Sequence, residues 1–143
     1  MRSTLAIILG IVVALAVQTC VDLLANQIYP AAITDMWDRQ QVSEAFADRP
    51  VGALLLSIAA YFLAALVGGW AAKKIAGRGF AAWVPGLIVA LMALLIAFSY
   101  PIQTWAALGM LVGALLGALI ANHLVATRAA EPPADGGAPE ADA

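Results

Sequence analysis

Charge is scarce in this chain. Of 143 residues only 11% are Asp, Glu, Lys or Arg, where a water-soluble domain carries roughly a quarter. There is no basic stretch, so nucleic acid is excluded as a partner. Cysteine is almost absent: Cys20 stands alone, which rules out an intramolecular disulfide, a CxxC redox pair and a thiolate-rich metal site. Alone in the chain, Cys20 is expected to pack as a small apolar residue. The single histidine, His123, has no second ligand at a metal-binding spacing, and neither a Walker loop, an HExxH helix nor a nucleophile–base pair is present. The expectation is therefore a protein that is not an enzyme and holds neither a metal nor a cofactor.

What is there is apolar. Hydrophobic residues make up 64% of the chain, and mean hydropathy is +0.93. Four long apolar runs, at 5–28, 51–72, 80–99 and 102–125, each reach the roughly 20 residues needed to cross a bilayer. Together they leave too little for a soluble core. The fold expected is all-α, a four-helix transmembrane bundle at 1–128, followed by an acidic tail at 129–143 that lacks any apolar period and is expected to be disordered. Glu131, Asp135, Glu140 and Asp142 all lie in that tail, so the rest of the chain is net positive. The first run has a leader-like start and a small-residue site at Ala14-Leu15-Ala16, yet it continues through Val17, Val21 and Leu24 to Ile28, the length of a retained span.

Four crossings place Arg2, Lys73, Lys74, Arg78 and Arg128 on one side, and Arg39 and Arg49 on the other. The positive-inside rule then expects both termini in the cytoplasm. Tyr29, Trp37, Tyr100 and Trp105 fall toward the outer side and Trp70 and Trp83 toward the inner, as interfacial anchors would. Between the first two spans, Trp37, Val42, Ala45 and Phe46 recur near helical spacing, which predicts a short amphipathic helix in the outer loop. The later connections, around Gly77-Arg78-Gly79 and Tyr100-Pro101, are short, so the spans they join are antiparallel neighbours. Pro85 falls early in the third span, where its missing N–H is expected to cost little.

Lipid gives helices no hydrophobic reason to associate, so small residues at intervals of four mark close packing. The fourth span has Gly109, Gly113 and Gly117; the second has Ala60, Ala64 and Gly68. One row is expected to serve the bundle and the other a second copy or a membrane-protein partner. The first span continues its own small row of Ala6, Gly10 and Ala14 as Gln18, Asp22 and Asn26. A carboxylate within a span costs a few kcal/mol unless it faces protein or water. Counting down from the outer ends brings Asp22 level with Ser57 and Gln18 level with Tyr61, which predicts one hydrogen-bonded polar cluster in the outer half of the bundle.

Two functions follow from these residues. The first is a non-catalytic membrane protein acting through helix packing or protein partners; the second is a small proton- or ion-coupled transporter that uses Asp22. The segments Leu5-Ala6-Ile7-Ile8-Leu9-Gly10, Ile28-Tyr29-Pro30, Val51-Gly52-Ala53-Leu54 and Val67-Gly68-Gly69-Trp70-Ala71-Ala72-Lys73-Lys74 resemble a group of uncharacterised small bacterial four-span membrane proteins. The resemblance covers residues 1–125. It implies a bacterial inner-membrane location and brings no activity with it. It also implies an acid at Asp22 and a histidine where this chain has Asn26, a departure that leaves no acid–histidine relay.

Overall fold

In hydrocarbon a backbone has no water to satisfy its N–H and C=O groups, so a single apolar run can cross only as a helix. The structure, a computed structural model, describes residues 2–30 and 37–125. It contains α1 (Arg2–Ile28), α2 (Arg39–Ala47), α3 (Val51–Ala76), α4 (Phe80–Ser99) and α5 (Thr104–Leu124), with no strand among the described residues. Four of these, all but α2, are long and apolar enough to span a bilayer. The chain is a multi-pass integral membrane protein. The expected acidic tail at 129–143, and Asp35 and Met36 of the first connection, lie outside the described residues.

The helices meet the ends of the apolar runs at Ile28, Val51, Phe80 and Ser99 and differ elsewhere, α1 beginning at Arg2 and α5 ending at Leu124. α3 runs on past Ala72 to Ala76 because Lys73 and Lys74 are good helix formers; it stops at Gly77, whose φ of 69° lets its N–H close onto the Lys73 carbonyl. α5 begins only at Thr104 because Gln103, just after Pro101-Ile102, is the N-cap with extended ψ. Pro85 lies within the first two turns as expected, but it costs more than expected. It is the sixth residue of α4, past the four N–H groups that have no helical partner, so it removes one bond to the Ala81 carbonyl. Its side chain is among the most buried in the protein and packs on Gly10.

α3 is the central helix, touching α1, α4 and α5, while α4 also touches α5 and α1; α1 and α5 do not meet. In cross-section the four form a rhombus with α3 and α4 on the short diagonal. Alanine and glycine dominate the buried positions, which lets backbones approach where large side chains would hold them apart. Both small-residue rows serve this purpose. Ala60, Ala64 and Gly68 are buried in α3, with Gly68 against Ala14 and the Gly10 carbonyl of α1. Gly109, Gly113 and Gly117 of α5 lie on Ile58, Phe62 and Leu66 of α3. The expectation that one row stays available for a second copy is thereby corrected: each faces another helix of the same chain.

At the end of the bundle away from α2, Lys73 is 3% exposed. Its Nζ donates to the Asn122 backbone carbonyl and, at 3.1 Å, to Asn122 Oδ1. That carbonyl belongs to the last turn of α5, where helical C=O groups lack N–H partners and carry partial negative charge. A residue counted from the sequence as a membrane-surface charge is thus a clamp between two helix ends. Lys74 is exposed, with Nζ 4.5 Å from the Trp70 ring centre. Lys73→Met is expected to lower stability by about 1.5–3 kcal/mol, the range for hydrogen bonds to a charged group. Lys74→Met should cost under about 1 kcal/mol. Thermal unfolding of the detergent-solubilised variants measures the difference, and equal losses would show that the clamp contributes nothing.

Candidate functional site

The polar stripe of α1 is where the structure departs from an all-apolar bundle. Gln18, Asp22 and Asn26 sit four residues apart on one face, and α3 contributes Ser57 and Tyr61 at the same level. All five predicted residues line a single cavity of about 460 Å³. Ser57 does not join the expected hydrogen-bonded cluster. Ser57 Oγ donates to the Ala53 carbonyl at 3.1 Å and Thr19 Oγ1 to the Leu15 carbonyl at 2.8 Å. In a helix the carbonyl four residues back is the acceptor a hydroxyl reaches most easily.

Gln18 and Tyr61 face the cavity without that option. Gln18 is 6% exposed and Tyr61 3%, yet neither Gln18 Oε1 nor Tyr61 Oη has a hydrogen-bond partner. The Gln18 amide lies beside the Tyr61 phenol without closing a bond of normal geometry. Buried polar atoms in folded proteins are nearly always paired, so two orphans on one cavity wall point to something that fills it. Asp22 is half-buried and Asn26 stands exposed at the rim.

Arg49 and Phe46 also line the cavity, and sequence reasoning missed both as site residues because they lie outside the spans. Their position follows from α2. Asp38 caps that helix, its Oδ1 accepting from the Gln40 N–H at 2.9 Å and the Gln41 N–H at 3.4 Å. Only Asp48, Arg49 and Pro50 separate α2 from α3, so the short helix stays at that end of the bundle and reaches it through side chains rather than close backbone packing. The Arg49 guanidinium lies 5.1 Å from the Phe46 ring centre, and Phe46 stacks on Tyr100 with centroids 4.6 Å apart. This column fastens α2 to the end of α4. The i, i+3 spacing of Phe46 and Arg49 was the available signal. Tyr100, expected as a lipid anchor, is half-buried in the column instead. Tyr29 likewise packs its hydroxyl on Gly52. Arg49 is the cation that acts on Asp22, although the two do not close an ion pair.

Ile96, Ile102 and Met110 give the cavity its apolar surface. Beneath it Ala14, Ala64, Ala65, Val89, Ala90 and Ala93 pack together with Tyr61 and Met110. Among the described residues the buried polar side chains besides Tyr61 are Gln18, Ser57 and Lys73, so between the cavity and the Lys73 clamp the core is dry. His123 is exposed near the opposite end, and no three His, Cys, Asp or Glu side chains among the described residues form a metal-binding group. Cys20 is exposed on the surface of α1 rather than packed in the core. No family model, curated protein or solved structure matches this chain.

Proposed function

We propose that this membrane protein is non-catalytic and binds a small polar ligand in the cavity beneath α2, at the outer face of a bacterial inner membrane, with both termini cytoplasmic. The pair of buried, unpartnered oxygens on Gln18 and Tyr61 carries the reading. A cavity of this size falls within the usual range for small-ligand sites, and its charged groups, Asp22 and Arg49, supply orientation. The orientation rests on five basic residues on one side against two on the other. The bacterial membrane rests on the resemblance in residues 1–125. A second copy or a protein partner would engage other surfaces, such as the α2 end where Trp37 is 93% exposed, because the small-residue rows are used inside the bundle.

Transport through Asp22 is the second reading. The line from Asp22 to Gln18 and Tyr61 runs toward the middle of the bundle and favours it, whereas the dry alanine and glycine core beneath opposes it in this conformation. Reporters fused after Arg128 are expected in the cytoplasm, and reporters inserted at Gln40 outside; a tail found outside overturns the orientation. In a Cys20→Ala background, Asn26→Cys and Asp22→Cys should react with a membrane-impermeant thiol reagent added from outside, and Ala14→Cys should not. A silent thiol at position 22 removes the water-accessible pocket. Reaction from both sides, together with pH-dependent flux that Asp22→Asn abolishes, replaces binding by transport.

A further inference from the structure

Within that binding reading, the geometry points to a ligand class: we infer that the cavity takes a zwitterion with a primary ammonium at its inner wall and a phosphate at its mouth, as in an ethanolamine phospholipid headgroup. The inner wall presents three oxygens able to accept, of which the Tyr61 hydroxyl can also donate. Gln18 Oε1 and Tyr61 Oη are buried without partners, and the Asp22 carboxylate lines the same cavity. An ionised carboxylate only accepts, and a primary ammonium offers three N–H donors and no acceptor, one for each of these three oxygens. The cation also neutralises the carboxylate at contact, where Arg49 acts on it without closing an ion pair. A quaternary ammonium has no N–H to give and would need an aromatic cage; the only aromatic residues on this cavity are Tyr61 and Phe46, and Phe46 is already stacked between Tyr100 and Arg49.

The mouth has the opposite preference. Arg49, held over the Phe46 ring, presents a planar fork of donors suited to phosphate oxygens. The walls show which way a tail would leave. Leu23 lines the cavity and is 62% exposed, so the cavity opens onto the lipid-facing surface of α1, with the apolar Ile96 and Ile102 on its border. Asp22 lies six residues before the end of α1 at Ile28, about 9 Å along the helix axis at 1.5 Å per residue. With the end of α1 set at the outer edge of the headgroup layer, that depth falls near the boundary between headgroups and acyl chains. The same ammonium–phosphate chemistry is available from a lipid in the membrane or from soluble phosphoethanolamine, and the two are separable by experiment.

The full-length protein, stripped of lipid in detergent, is offered equal amounts of ethanolamine, choline and glycerol phospholipids, and retained lipid is read by native mass spectrometry. Wild type is expected to retain the ethanolamine lipid at least tenfold over the choline lipid. Asp22→Asn and Tyr61→Phe should each abolish that preference, Arg49→Gln should weaken retention of both, and Lys74→Met should change nothing. In a parallel arm the Asn26→Cys, Cys20→Ala protein in choline-lipid vesicles meets soluble phosphoethanolamine; protection of the thiol there, without lipid retention in the first arm, assigns the free zwitterion as the source. Folding of each variant is checked by its unfolding temperature, and Tyr61→Phe, which removes only a hydroxyl, keeps the test available should Asp22→Asn not fold. Equal retention of ethanolamine and choline lipids with no protection, or a preference that survives both substitutions, overturns the ligand class. If thiols at 22 and 26 still react with water-borne reagent, the pocket stands and only the class is lost; if position 22 is silent, the binding reading falls as well.

Discussion

Gly117→Ala, a single added methyl group, is expected to destabilise the bundle by more than any other glycine-to-alanine change in α5. A Cβ at Gly117 would run into the Phe62 carbonyl oxygen of α3, with Leu66 N at 3.0 Å and Ala65 Cβ at 3.1 Å. Two of those three atoms are helical backbone, which cannot swing aside as a side-chain tip can. Gly68→Ala meets a similar wall, with Ala14 Cβ at 2.6 Å and the Gly10 carbonyl oxygen at 2.7 Å. Relieving either clash means separating two helices, and over-packing of a close-packed interior costs about 1–3 kcal/mol, occasionally more. The same methyl at Gly113 lies 3.3 Å from the nearest atom, the Ile58 carbonyl oxygen, and at Gly109 it meets the flexible end of the Ile58 side chain at 2.5 Å. Both should lose well under half as much. Unfolding temperatures in one detergent rank the four; equal losses at Gly109 and Gly117 would mean that α5 does not lie on α3 in this register.

That ranking also marks how far the sequence could be read. The four spans were legible because the bilayer leaves an apolar run of that length one conformation. The glycine row in α5 was legible as a row, but which member is tightest depends on how α5 is rotated and tilted on α3, which spacing alone does not encode. Depth counting puts Gln18, Asp22, Ser57 and Tyr61 at one level, and the four line one cavity, since antiparallel helices of similar rise keep residues level. It failed on their bonding: Ser57 finds its acceptor at Ala53 in its own helix, a local competition that a count of depths does not include. Arg49 and Phe46 escaped notice as site residues because a short link and α2, not a span, carry them to the cavity. Lys73 was read as a surface charge because its partner, Asn122, is 49 residues away in the chain.

Tyr61→Phe is expected to make the lipid-free protein more stable, the reverse of the usual result for a buried tyrosine. A hydroxyl that donates a hydrogen bond contributes about 0.5–1.5 kcal/mol, so its removal normally costs that much, whereas a buried hydroxyl left unpaired carries a penalty of about 1–3 kcal/mol that its removal relieves. Tyr61 Oη is of the second kind: at 3% exposure it sits on the inner wall, deeper than the half-buried Asp22 and the exposed Asn26. Gln18→Leu should act in the same direction, since it deletes the other unpartnered oxygen and leaves an apolar side chain beside Tyr61. Adding the ethanolamine phospholipid changes the order. A ligand that binds only the folded state stabilises it by RT ln(1 + [L]/Kd), about 2.7 kcal/mol at a hundredfold excess over Kd. Wild type gains this in full and Tyr61→Phe gains less, having lost one of three acceptors. The two unfolding temperatures should therefore cross as lipid is titrated, the variant above wild type without lipid and below it at saturation. A Tyr61→Phe protein already less stable than wild type without lipid would show that the hydroxyl is paired in the resting bundle, and that the cavity wall is structural rather than a site.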